Sequence, residues 1–327
     1  MQISVIIPTY NAVNTIARAI DSVLYQNHSV DEIIIIDDGS TDNTAEIVRS
    51  YGDAIRYFYQ KNTGISGAIN YGMRQAKGEW IAVLAADDEW LPNFVACHVR
   101  LISEHPDIKW TYCHCEKVTQ SGRIQVQIPQ GIKEEIECKG SLSYFRAELA
   151  GFFFLACGFV IERSVYDDVG NYDLAMRNGQ DGDMWCRIAL KYPRVAVCGQ
   201  VCWRYYLDNP KSLHRRGRKY RDLQLKSLCR NMRHAKELGP DMVNEFRPYA
   251  RMKVVDYLIR EAGRNCFIKL DTIEDAKSLF PLRVRERGLM RILRLLPKPI
   301  ARKIADRLCN WCRGIWVKAA KEKEETK

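Results

Sequence analysis

Apolar residues in this chain fall into short continuous blocks that alternate with segments of helical period. Residues 2–8, QISVIIP, form a β-branched run closed by Pro8, the pattern of a strand buried on both faces. Residues 14–26 follow, with Ile16, Ala19, Ile20, Val23 and Leu24 at helical spacing. A second strand over 31–36 stops at Asp37-Asp38-Gly39-Ser40-Thr41-Asp42, where Thr41 or Asp42 would cap a helix over 44–50. A third strand over 55–59, a helix over 66–76 closed by Gly78, and a fourth strand over 79–85 complete the regular part. Strands alternating with helices predict βαβ units, hence an α/β fold with a mostly parallel sheet flanked by helices.

Beyond residue 95 the pattern loosens. It predicts a helix over 94–105, a strand over 109–117 and a polar, loop-like stretch over 120–140. Residues 151–162 are strongly apolar, and a short helix leads into a turn at Gly170-Asn171-Tyr172-Asp173. A helix over 181–190 and a strand over 196–206 follow. From about residue 211 the chain reads as basic helices, with the last residues, KEKEETK, expected to be disordered. This divides the chain into an α/β domain over 1–216, with halves 1–95 and 96–216, and a basic helical extension over 217–327.

Three strands of the first half end in polar or acidic clusters: Pro8-Thr9-Tyr10-Asn11, Asp37-Asp38 and Asp87-Asp88. In an open α/β sheet, ligands bind at the carboxyl ends of the strands. Each acidic pair alone reads as a turn and helix cap. Together, at the ends of successive strands, they repel one another unless a cation neutralises them, which favours a site for a nucleotide and a hard divalent metal. The first strand–helix turn holds no glycine, against a dinucleotide fingerprint, and no GxxxxGK[ST] is present, against a P-loop.

Composition narrows the classes further. At 327 residues, with 46% hydrophobic and 28% charged positions, the chain can bury a large core and is neither disordered nor fibrous. Its longest apolar stretch, residues 151–161, is too short for a spanning helix, which needs about 20 residues. The first ten residues read as a strand rather than a leader, so a cytoplasmic location is expected. Charge is divided: residues 201–327 carry 32 Lys+Arg against 15 Asp+Glu, and residues 1–200 carry 18 against 25. The twelve cysteines are scattered and read as reduced thiols. Cys113-His114-Cys115 is too tight for a zinc knuckle and Cys309–Cys312 is a single CxxC, so no structural zinc is expected.

The segments SVIIPTYN, IIIIDDGSTD, NTGISGAIN and AADDEWLP, in this order, resemble the nucleotide-sugar half of the family 2 glycosyltransferases, which have the GT-A fold and invert configuration. GNYDLAMRNGQDGDMWCR resembles the family's acceptor-side segment, so the resemblance covers about residues 2–215. It implies an inverting, metal-dependent transfer from a nucleotide sugar, UDP-linked, to a glycan or lipid-linked acceptor in surface polysaccharide synthesis, lipopolysaccharide included. Either a hexosyl or an N-acetylhexosaminyl group would fit. The donor would be held by Pro8, Thr9, Tyr10, Asn11, Asp37, Asp38, Asn62, Gly64, Ala68 and Asp87, with Tyr10 stacking on the base and Asp38 facing the uracil. Asp87 and Asp88 would bind Mn²⁺ or Mg²⁺. Asp181 would be the catalytic base, while Asp183 is expected to be a solvated or capping acid. Arg204, His214, Arg215 and Arg216 lie where basic residues of the family can meet the diphosphate; the equal alternative is a solvated charge run. Three departures stand out: Ala85 where the family often has Asp, Ile69 in place of an arginine, and Gln180 in place of a glutamate. Loss of donor turnover through these changes would leave a non-catalytic sugar-nucleotide-binding or membrane-associated relative, the alternative reading.

The extension adds a partner. Ile300, Ile304, Leu308, Trp311 and Ile315 share one helical face, with Lys298, Arg302, Lys303, Arg307, Arg313 and Lys318 on others. Leu289, Ile292, Leu293 and Leu296 repeat the pattern upstream. A basic amphipathic segment with tryptophan reads as lying on an anionic membrane surface, here the inner face of the cell membrane; the alternative is a helical lid. No nucleic-acid-binding motif accompanies the charge. Truncation after Leu282 is therefore expected to keep nucleotide-sugar binding, because every assigned site residue precedes 217, and to abolish sedimentation with anionic vesicles. Vesicle binding of the full chain should fall at high salt. Unfolding of the truncated protein would make the tail a packed lid.

Overall fold

The computed structural model describes residues 1–176, 178–207, 221–262 and 304. The basic tail over 281–320, except for helical Ile304, and His214, Arg215, Arg216 and the KEKEETK end lie outside the described residues. The chain divides into two compact units: residues 1–142 with 154–221, and residues 143–153 with 222–327.

In the first unit, β1 (Ile3–Thr9) is buried at every position and forms the spine. It pairs in parallel with β2 (Glu32–Asp37) on one side and β4 (Trp80–Val83) on the other. β2 pairs in parallel with β3 (Arg56–Tyr59). Beyond β4 the sheet turns antiparallel through β9 (Phe159–Glu162), which also pairs with β6 (Trp110–Thr119). β6 then runs parallel to β10 (Arg194–Tyr206), whose far side pairs with the short β5 (Glu89–Trp90). The resulting order is β3-β2-β1-β4-β9-β6-β10-β5. β7 (Gly122–Gln125) pairs with β6, and β8 (Ser141–Ser143) is a third short strand. The mostly parallel part from β1 to β4 was legible from the apolar blocks; the antiparallel insertion of β9 was not.

Helices cover this sheet in the way their apolar spacing requires. α1 (Ile16–Leu24) buries Ile16, Ala19, Ile20 and Val23, one stripe of an amphipathic helix. α2 (Thr44–Arg49) follows β2, and α3 (Ile65–Gln75) packs tightly on β1. A Cβ at Gly72 would meet the Ile6 side chain at 2.4 Å, so only glycine allows that approach. α4 (Phe94–Glu104) follows the Asp87-Asp88 turn, with Trp90 stacked on Phe94 at 3.9 Å. Residues 120–140, expected to be loop, instead contain β7 and α5 (Gln130–Lys139), because Gly140 closes that helix in a left-handed conformation and Ile132 buries a contact. α7 (Arg163–Val169) and α8 (Gln180–Lys191) flank the Gly170–Asp173 turn.

The second unit is helical among the described residues. It contains α6 (Tyr144–Leu149) and two long helices, Arg221–Leu238 and Pro240–Ala262. Tyr144, Phe145, Phe246 and Tyr249 form its aromatic core, and Lys253 Nζ lies 2.8 Å from the buried Glu148 carboxylate.

Candidate active site

The sheet order reverses beside β1, because β2 and β3 extend to one side and β4 to the other. Such a switch point opens a crevice beyond the carboxyl ends of the strands. Pro8 and Thr9 end β1, Asp37 ends β2, and the turn containing Asp87 follows β4. Tyr10, next after β1, is 49% exposed, an aromatic face without a core to fill. Thr9 is 3% exposed, and its Oγ1 is buried with no hydrogen-bond partner. A buried orphan of this kind marks a place where a ligand atom or water completes the bonding.

Asn11 holds the β1 and β2 ends together. It adopts a φ of +50°, donates its N–H to Ser40 Oγ at 2.9 Å, and accepts the Thr41 N–H on Oδ1 at 2.7 Å. Asn is among the few side chains that tolerate this left-handed conformation. Asp37 Oδ1 accepts the Ser40 N–H at 2.8 Å, and Oδ2 accepts the Tyr57 hydroxyl at 2.8 Å. Asp38 Oδ1 accepts from Gln60 Nε2 at 2.7 Å and from the Thr63 N–H at 2.8 Å; Oδ2 accepts the Gly64 N–H at 2.8 Å. Gly64 has a φ of +87° and leads into α3, so the Asp38 carboxylate sits at the positive end of that helix. Asp38 thereby fixes the loop containing the exposed Asn62, and Ala68 follows one turn into the helix, fully buried.

The acids after β4 are treated differently. Asp87 is half-buried, and its backbone oxygen accepts from Arg18 Nη2 of α1 at 2.5 Å. The Arg18 guanidinium lies 3.7 Å over the Tyr206 ring. Asp88 is 2% exposed; its Oδ1 accepts the Tyr206 N–H at 3.1 Å and its Oδ2 the Cys157 thiol at 3.1 Å. Burial first, then the neighbouring Asp87 charge, raises the Asp88 pKa to about 7. Both Asp88 oxygens are thus engaged within the protein, which leaves the half-buried Asp87 as the more open carboxyl of the pair.

Asp181 stands in the first turn of α8, after Gly179 at a φ of +77°. Part of its surface is open, yet the surrounding protein desolvates the carboxyl and raises its pKa to about 6. Gln180 Nε2 reaches Asp181 Oδ2 at 3.4 Å, while Gln180 Oε1 is buried without a partner. The segment before α8 is tied to the nucleotide half: Asn70 Nδ2 donates to Tyr172 O at 2.8 Å, and the Tyr172 N–H donates to Asn70 Oδ1 at 2.9 Å. Ser66 Oγ adds a bond to Met176 O at 3.3 Å.

Two sequence expectations are corrected. Asp183 is neither solvated nor a cap: it is 3% exposed and accepts from Arg187 Nε at 3.0 Å. The same guanidinium donates to the carbonyls of Gly170 and Asn171, so the pair braces the turn before α8. Arg204 does not stand ready for a diphosphate; it pairs with Glu89 at 3.1 Å and Glu116 at 2.8 Å. Arg18, Cys157 and Tyr206 support the acidic turn but carry no motif, and no local spacing could have placed them beside it.

Comparison with known proteins identifies the family and the fold. The model of Glycosyl transferase family 2 matches residues 4–170, just over half of the chain. The chain belongs to this family. An uncharacterized glycosyltransferase of Rickettsia typhi is 33% identical over 196 residues, covering 59% of each chain. One of Escherichia coli K12, YibD, is 42% identical over 95 residues, 28% of each chain. The chain thus spans well under two thirds of these relatives' length. Among solved structures, the 1-349 fragment of S. aureus TarS in complex with UDP-GlcNAc superposes with a TM-score of 0.68 at 16% identity, over 100% of this chain and 93% of that one. The mannosyltransferase PcManGT of Pyrobaculum calidifontis, in complex with GDP-Man and Mn²⁺, gives 0.51 at 18% identity, over 95% and 87%. The family 2 glycosyltransferase fold is therefore that of this chain.

The bonds around Asp38 lead to a direct test. Asp38→Ala should destabilise the protein by about 1–3 kcal/mol, since several buried donors lose a charged acceptor. Amide hydrogen exchange should accelerate at Thr63 and Gly64 while β1 stays protected. Unchanged exchange there would remove the loop-fixing role.

Proposed function

We propose that the chain is an inverting glycosyltransferase that moves a sugar from a UDP-linked donor to a hydroxyl of a glycan or lipid-linked acceptor. The observation that carries this reading is the pairing of a nucleotide-type crevice with Asp181, whose raised pKa suits a base working near neutral pH. Tyr10 would stack on the base, with Thr9 Oγ1 finding its missing partner there. Asp37, Asp38 and Asn11 shape the walls, and Asn62, Gly64 and Ala68 belong to the loop and helix that close the donor pocket. The complex of TarS with UDP-GlcNAc and that of PcManGT with GDP-Man and Mn²⁺ support a nucleotide-sugar donor and a divalent cation.

Asp87, with Asp88 behind it, would hold Mn²⁺ or Mg²⁺. Such an ion neutralises the charge that develops on a departing diphosphate. Asp181 accepts the proton of the acceptor hydroxyl as that oxygen bonds to the anomeric carbon. The bond from the anomeric carbon to the diphosphate oxygen breaks on the opposite face, carrying its electron pair to UDP. One displacement inverts the configuration. The Asn70–Tyr172 bonds hold the loop before Asp181 against α3, which keeps base and donor in register. Work at an anionic membrane surface, with lipid-linked acceptors of surface polysaccharide, fits the basic tail; among the described residues no helix is long and apolar enough to cross a membrane.

Incubation with UDP-sugars and Mn²⁺, following UDP release, tests the reading. Asp181→Asn should lower turnover by about 10²–10⁴ while UDP binding survives. Asp87→Ala should lose both turnover and the Mn²⁺-dependent part of UDP binding. Intact turnover in either variant overturns that residue's role, and UDP binding without turnover in the unaltered protein favours the non-catalytic alternative.

The pH profile gives a separate check. A base must be ionised to act, and burial has moved Asp181 up, so turnover at saturating substrate should fall as pH drops through about 6, by about tenfold per unit. In Asp181→Asn the residual rate should not show that inflection.

A further inference from the structure

Four cysteines from three elements converge behind the acidic turn. Cys97 of α4, Cys113 of β6, and Cys198 and Cys202 of β10 are all buried, and their sulfurs lie within 4.8 Å of one another. We infer that these four residues form a mononuclear tetrathiolate site for a zinc ion, built into the sheet away from the proposed donor pocket.

Strand geometry makes the convergence hard to dismiss as ordinary packing. In a regular strand, residues four apart lie about 13 Å from each other, too far for two side chains to share one point. Cys198 and Cys202 meet because β10 breaks register there. Cys198 pairs with Cys113 and Trp203 with Cys115, so five steps of β10 face two steps of β6. The surplus residues are Gly199, Gln200 and Cys202, on either side of the Val201–His114 pair, where the register shifts occur. A looped CxxxC pair facing two further cysteines is the ligand arrangement a tetrahedral ion needs. With metal–sulfur bonds of about 2.3 Å, tetrahedral sulfurs stand about 3.8 Å apart, a small contraction from the separations here. An iron–sulfur cluster would hold its cysteines further apart, so the spacing selects a single ion.

Polar groups of both kinds surround the sulfurs: Gln200 accepts from Cys97 Sγ on Oε1 at 3.8 Å and from Cys202 Sγ on its backbone oxygen at 3.4 Å, while donors face the same cluster. Asn93 Nδ2 reaches Cys202 Sγ at 3.5 Å and Cys97 Sγ at 3.9 Å, and Arg100 Nη2 reaches Cys198 Sγ at 3.8 Å. Neutral thiols gain little from such donors, whereas metal-bound thiolates are oriented and partly neutralised by them. Zinc fits the all-sulfur donor set, in contrast to the oxygen set at Asp87 and Asp88. Binding expels four thiol protons for one Zn²⁺, leaving a site of net charge −2 that Arg100 offsets in part. The ion would fasten α4 and β6 to β10, the strand that carries Arg204 to Glu89 and the Tyr206 N–H to Asp88.

The test uses the full chain purified without added metal. Elemental analysis should find one zinc per chain. Exchange for Co²⁺ should give the visible bands and thiolate-to-cobalt charge transfer of a tetrahedral sulfur site, a signature that needs no variant. Cys198→Ser with Cys202→Ser should lose the metal and the cobalt spectrum, while Cys309→Ser with Cys312→Ser and, separately, Asp87→Ala should keep both. A folded chain without zinc that takes up no cobalt into sulfur ligation overturns the site, as does a metal lost with Cys309 and Cys312, a disulfide between any of the four, or an iron–sulfur cluster.

Discussion

Burial of the central strands on both faces is the constraint from which the site follows. Every residue of β1 is buried, and five of the six residues of β2 are. An ionised group placed mid-strand would be stripped of water with nothing to replace it, at a cost of several kcal/mol. Polar chemistry is therefore confined to the strand ends, where the chain leaves the core. Because the sheet order reverses at β1, the ends of β1 and β4 diverge and leave room between them. Tyr10, Asn11, Asp38 and Asp87 gather there as a consequence of topology.

The buried acids then fall into two kinds, separated by their hydrogen bonds. Asp37 and Asp38 receive backbone N–H, hydroxyl and amide donors, so their charge is spent on holding loops. Asp88 and Asp181 are desolvated with fewer or weaker donors, and their pKa values rise to about 7 and about 6. An acid left short of donors keeps its appetite for a proton or a cation. That difference, rather than the mere presence of aspartates, is what sets the proposed metal and base positions apart from the loop-holding pair.

Much of the first half was legible because local pattern and burial coincide there. The four isoleucines of β2 and the stripe of α1 leave one arrangement open, and the acid pairs mark where the strands stop. The strand ends that carry the candidate residues could be located from motifs because the loops there are short. Legibility ended where long-range contacts decide. β7 and α5 lie in a polar stretch whose order depends on pairing with β6 and on Gly140. Asp183 looked solvated because its partner Arg187, on the same helix, is used to brace the turn at Gly170. The four cysteines are scattered over more than a hundred residues, and only a break in strand register brings them together. Spacing rules for metal sites look for pairs in sequence, and a set of four drawn from α4, β6 and β10 offers them only Cys198 and Cys202, a spacing that a regular strand would hold apart.

Strand β10 links the cysteine cluster to the turn after β4. Its bulged segment holds Cys198 and Cys202, and four residues further on Tyr206 donates its N–H to Asp88 while its ring lies under Arg18. Between them, Arg204 joins Glu116 of β6 to Glu89 of β5. A break in register weakens a strand, since the looped residues lose their ladder bonds and gain freedom. Left alone, that freedom would pass to the turn that positions Asp87. Fastening the bulge through its sulfurs to α4 and β6 removes it at the point where it arises. In that arrangement soft ligands would secure the scaffold and the proposed oxygen ligands at Asp87 would remain for the donor's ion, so the two sites would not compete for one metal.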